Sequence, residues 1–207
     1  PGAAGLIVPA PHAATLTALT DPHPDVAIAA LHTGSGAERQ EDGAALAISH
    51  LVALGHRRIG RVAGPAEWLE ARSREAGMLR GFGDAGVEPG PRWSGDWTAA
   101  DGAAVAPAIM AEVRTVGGPT AIAAANDQMA LGLIAGLREA GVDVPGDVSI
   151  VGFDDNPDAA YYRPALTTVG LDLRGEARRA VAEVLGEAAS VPAPPRLVVR
   201  ASTARPR

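Results

Sequence analysis

The stretch Pro119–Thr168 constrains the fold more than any other part of the 207-residue chain. Residues 121–125, Ala-Ile-Ala-Ala-Ala, are a short apolar run bounded by turn residues, which reads as a buried strand. Asn126-Asp127 closes the strand and opens a helix, with Asp127 placed to cap it by accepting from free amides. Met129, Leu133 and Leu137 repeat at helical spacing, and Gly141 supplies a left-handed stop. Val148–Phe153 reads as a second buried strand ending in Asp154-Asp155. Strand, helix and parallel strand make a βαβ unit. It brings Asn126 and Asp154 to the carboxyl edge of the sheet, where open parallel sheets bind ligands.

The same rhythm runs through the rest. Strands are expected at 5–8, 26–31, 59–63, 93–97 and 196–201, with a glycine-rich loop at 32–38. Helices are expected at 42–54, 69–85 and 171–185, and a further one within 101–116 that Pro107 should start near Ala104 or kink. Strands alternating with helices predict an α/β fold with helices on both faces of parallel sheets.

Composition narrows the function classes. Hydrophobic content of 47% with 20% charged residues describes a globular chain. With no cysteine, disulfides and thiolate metal sites are excluded. No apolar run reaches the roughly 18 residues of a membrane span. The net charge is −6 and all 18 basic residues are arginine, so this domain is a poor nucleic-acid binder by itself. The histidines His12, His23, His32, His50 and His56 show no metal-ligand spacing, and no cofactor is implied. Gly81-Phe-Gly-Asp-Ala-Gly86 satisfies a dinucleotide pattern literally, but it falls at a helix end and cannot present helix-start amides to a phosphate.

Ala125-Asn-Asp-Gln-Met-Ala-Leu-Gly132, Val144–Asp155, Pro164-Ala-Leu-Thr-Thr168 and Leu51-Val-Ala-Leu-Gly-His56 together resemble the lac-repressor (LacI/GalR) family of transcription regulators. The resemblance implies the type I periplasmic-binding-protein fold: two doubly wound subdomains, three crossovers and a ligand cleft between them. One subdomain would hold 1–63 plus about 167–190, the other 64–166 plus about 191–207, with the first crossover at Gly64-Pro65. A complete member carries a helix-turn-helix, a hinge helix and two β-α units before the position of Gly5, so the chain is expected to lack part of its first subdomain. The implied function is effector sensing by a cytoplasmic, homodimeric, non-enzymatic regulator whose operator contacts come from a segment absent here. The alternative is a solute-binding protein serving a sugar transporter.

The resemblance also implies site residues. Arg74 matches the effector-site arginine, whose fork can hold two hydroxyls or a carboxylate. Trp97 matches an aromatic wall, and Asp154 a hydroxyl acceptor. Asn126 can donate and accept at once, as a polyol requires. Trp68 and Glu70 fall where relatives vary with specificity, and Asp42 at the head of a helix. His32 replaces an acidic contact, and Leu171 a polar one. His56 reads as a helix-end residue whose partly positive ring is favoured there.

Overall fold

The computed structural model describes residues 4–9, 12–20 and 25–207. Residues 1–3, His23 and the other omitted positions of the first expected subdomain lie outside that set. The structure is α/β with two parallel sheets. Strands β1 (Gly5–Val8) and β2 (Ala27–Ala30) pair in parallel, Gly5 opposite Ala27 and Val8 opposite Ala30. Helix α1 (Ala13–Thr20) lies between them in sequence, and α6 (Leu173–Leu185) packs on both strands. Gly5 permits that approach, since a Cβ there would sit 2.6 Å from Val184 Cγ1.

The larger sheet has the order β4-β3-β5-β6, all parallel, from β3 (Ile59–Ala63), β4 (Arg92–Ser94), β5 (Ala121–Ala124) and β6 (Ser149–Val151). Helices α2 (Ser35–Leu54) and α3 (Leu69–Ala85) pack together, as do α4 (Ala99–Val113) and α5 (Asp127–Glu139). Central β5 is alanine-rich and wholly buried, which lets flanking helices close on the sheet. Thr167 bridges to Val151 in parallel, and β7 (Thr168–Gly170) then pairs antiparallel with β8 (Arg196–Val198) at the passage between the sheets.

Three expectations change. The sequence puts the passage between sheets at Gly64-Pro65, but β3 hydrogen-bonds between β4 and β5, so residues 59–63 belong to the larger sheet and the first crossing lies between β2 and β3. Helix α2 starts at Ser35 rather than Asp42, which places Asp42 inside the helix, paired with Arg80 at 2.7 Å. Helix α4 starts at Ala99 and runs through Pro107. Thr98 caps it by accepting from Asp101 N at 3.1 Å. The carbonyl of Ala103, which loses its helical donor to Pro107, faces Gly136 of α5, where a Cβ would lie 3.1 Å away.

Candidate functional site

Helix α3 begins after Trp68, whose backbone is extended, and buries Glu70, Ser73, Arg74 and Gly77. Gly77 lies against α2, where a Cβ would meet the Glu41 carbonyl oxygen at 2.1 Å. That close crossing brings Gln40 of α2 onto Arg74. Arg74 Nε donates to Gln40 Oε1 at 2.8 Å and Nη1 to the Ala125 carbonyl at 2.5 Å. Nη2 lies 2.9 Å from Asp154 Oδ1. The guanidinium sits 4.1 Å from the Phe153 ring centroid and 5.5 Å from that of Trp97. A charge this enclosed needs such complete compensation.

Backbone strain marks the same place. Among the described residues, the non-glycine positions with positive φ are Trp97 at 77°, Asp154 at 114° and Asp155 at 52°. Such conformations cost about 1–3 kcal/mol each and persist where the surroundings enforce them. Trp97 is enforced by its floor, because a Cβ at Gly64 would lie 2.3 Å from the indole. Its carbonyl accepts from Asn126 Nδ2 at 3.0 Å. Asn126 Oδ1 caps α5 by accepting from Met129 N at 2.8 Å, so the carboxamide holds the tryptophan and the helix start together.

The second wall is aromatic. Trp68 meets Trp97 edge-on at 6.2 Å, and the His12 ring packs against Trp68 at 4.6 Å. An isolated antiparallel backbone bridge, His12 to Trp68, joins the end of the small sheet to α3. Gln40 Oε1 accepts from Arg74, so its Nε2 donates to His32 Nδ1 at 3.1 Å. That leaves the His32 proton on Nε2, 3.9 Å from Glu70 Oε2. Burial, then the positive Arg74, lowers the His32 pKa to about 4, so the ring is neutral at pH 7. Burial raises the Glu70 and Asp154 carboxyls above their ordinary range, with Arg74 opposing both shifts. Among the described residues, Glu70 Oε2 and Trp97 Nε1 are buried without a hydrogen-bond partner, as is Glu75 Oε2 away from this cluster.

Arg74, Trp97, Asn126, Asp154, Trp68 and Glu70 therefore converge on one cluster. Arg72 stands outside it, donating to the Ala66 carbonyl at 2.6 Å. Leu171 lines a cavity of about 550 Å³ that Asp154 of the cluster also borders, with Arg174 and Arg196. Asp155 is structural, holding Arg196 at 2.9 Å and Arg200 at 2.7 Å. Asp127 does not cap α5 as expected. Its carboxylate accepts from Thr168 Oγ1 at 2.5 Å and Asn156 N at 2.8 Å, while Asn126 does the capping. His56 also differs, since burial lowers its pKa and the neutral ring bonds Thr120 Oγ1 and the Ala204 carbonyl, each at 2.8 Å. Sequence reasoning missed Gln40, His12 and Phe153. Gln40 was discernible as the lone polar position preceding Ala44, Ala47, Ile48 and Leu51 on one helical face.

Comparison with known proteins fixes what kind of domain holds this cluster. The sequence profile of the periplasmic binding protein-like domain matches residues 48–207. The chain belongs to this family. Its motifs place it with the lac-repressor type. It is 39% identical over 172 residues to the HTH-type transcriptional regulator MalR of Streptomyces coelicolor, covering 77% of this chain and 48% of that protein. To the lactose operon repressor of Escherichia coli K12 it is 41% identical over 134 residues, 65% of this chain and 36% of that protein. The lac repressor dimer bound to operator and the anti-inducer ONPF superposes with a TM-score of 0.83 at 33% identity, covering 97% of this chain and 74% of that one. The chain thus spans about half, or less, of the length of these curated relatives.

Proposed function

We propose that this chain is the effector-sensing part of a lac-repressor-type transcription regulator, binding a sugar or sugar derivative in the cleft. The observation that carries this is the convergence of Arg74, Asp154 and Trp97, with an unpartnered indole N–H and an unpartnered carboxylate oxygen beside them. The ligand would lie against Trp97, accept from Arg74 and donate to Asp154. His12 and His32 follow the small sheet, whereas Trp68, Arg74, Trp97, Asn126 and Asp154 belong to the larger unit. A ligand touching both sides favours one interlobe angle by its differential affinity for the two states. In a homodimer that angle would space two DNA-reading segments lying outside this sequence, with coupling of about 1–3 kcal/mol. The acidic charge of −6 fits a cytoplasmic sensor that leaves operator contact to such segments.

Thermal-shift screening against sugars and nucleobases tests the reading. A sugar should raise the melting temperature through mass action. A rise with purines and with no sugar would overturn the ligand class.

A further inference from the structure

Glu70 is only 8% exposed, and its Oε2 has no hydrogen-bond partner among the described residues. Its nearest charged-capable neighbour, His32 Nε2, stands 3.9 Å away, beyond hydrogen-bond reach. The other charged groups of the cluster are already matched. Arg74 is paired with Asp154 at 2.9 Å, and Glu176 is bonded to both Arg39 and Arg179. The Asp127 carboxylate is turned to Thr168 and Asn156. Against one guanidinium the cluster therefore sets two carboxylates, Asp154 and Glu70; Arg74 and His12 act on Glu70 only from a distance, and no cation is hydrogen-bonded to its Oε2.

Trp68 precedes α3 just ahead of Glu70, and the Trp97 indole and the His12 ring pack edge-on against Trp68. Trp97 Nε1, the other unpartnered polar atom in the cleft, is a donor and requires an acceptor such as a hydroxyl oxygen. One ligand carrying both an ammonium and hydroxyls would satisfy the two groups at once. A buried charge left unpaired is costly, so the bound cation would remove a penalty that the empty cleft carries.

We propose that the cleft selects an amine-bearing polyol, an amino sugar in its ammonium form, with Glu70 as the partner of the ammonium and Trp97 Nε1 as donor to a ring hydroxyl. This rests on the cleft being the effector site. His32, neutral and bonded to Gln40 through Nδ1, offers Glu70 no charge, and its Nε2 stands 3.9 Å from the carboxylate.

Isothermal titration of glucosamine and galactosamine, each against its parent glucose or galactose, is the test, at a pH below that of the amine's own titration. On the wild-type chain the amine should bind about tenfold tighter than its parent hexose, the scale of one charge-assisted hydrogen bond. Glu70→Gln, which keeps the side-chain shape, should bring the two to within about twofold while a thermal melt shows the variant folded. Parent hexoses binding as tightly as the amines would overturn the ammonium assignment and leave the sugar site standing. Persistence of the amine preference in Glu70→Gln would overturn the role of Glu70. Binding of neither class to the folded wild-type chain would overturn both the assignment and the sugar-sensing function beneath it.

Discussion

Strands β1 and β5 are both four-residue, parallel and apolar, yet every residue of β5 is buried and none of β1 is. The sequences do not explain the contrast. Gly-Leu-Ile-Val is more hydrophobic than Ala-Ile-Ala-Ala, but Leu6 and Ile7 remain 39% and 42% exposed. Position does explain it. β5 has a strand on each side and helices over it, whereas among the described residues β1 has one neighbouring strand and α6. The unit around β5 carries Arg74, Trp97, Asn126 and Asp154, and the described part of the other contributes His12 and His32.

The contrast can be broken most sharply at Arg74. Arg74→Ala would leave Asp154 without its cation and the Gln40 and Ala125 oxygens without their donor, costing about 3–5 kcal/mol by denaturant unfolding. A loss below about 1 kcal/mol would mean that the larger unit is less rigid than its packing indicates.

A paired truncation measures the two strands directly. Ile122 on β5 is fully buried, so Ile122→Ala should cost about 2–5 kcal/mol, while Ile7→Ala on β1 should cost less than about 1 kcal/mol. Equal losses would show that β1 is covered in solution. Hydrogen exchange should rank the amides the same way.

The smallest effect concerns pH, where the two units pull in opposite directions. Burial raises Asp127 from 3.8 to about 7, against the hydrogen bonds from Thr168 and Asn156. Between those values the folded chain keeps a proton that the unfolded chain has lost, so stability falls as pH climbs from about 4 to about 7. His32 is lowered from 6.5 to about 4, first by burial and then by Arg74. There the unfolded chain holds the extra proton, so stability rises as pH climbs from about 4 to 6.5. The slopes oppose one another over most of that range. The raised Glu70 and Asp154 carboxyls add to the falling side. Asp127→Asn should make stability rise more with pH, and His32→Asn should make it fall more. Urea titrations across the range read both, and identical profiles for the two variants would contradict the assignment.

Much of the larger unit was legible in the sequence because its signals are local. The Met129, Leu133 and Leu137 spacing specified α5, and the turn residues at its ends placed Asn126 and Asp154 on one sheet edge. The start of α2 was hidden because its first turns bury Gly36 and Gln40, which carry no hydrophobic period. Helix α1 buries no residue, so it offered no amphipathic pattern to detect. The first crossing was misplaced for a different reason. Gly64-Pro65 breaks the chain locally, but sheet membership is decided by distant strands, and β3 finds β5 across some sixty residues of sequence. Of the site, residue types were readable and their partners were not: that Asn126 secures Trp97, or that Gln40 sets the His32 tautomer, depends on contacts between helices.

Calorimetric titration of the best sugar hit into the wild-type chain and into Asp154→Ala tests the cleft most directly. The variant should lose about 100-fold or more in affinity, the cost of removing a charged hydrogen-bond acceptor from a buried site. Unchanged affinity in a folded variant would place the ligand elsewhere on the molecule.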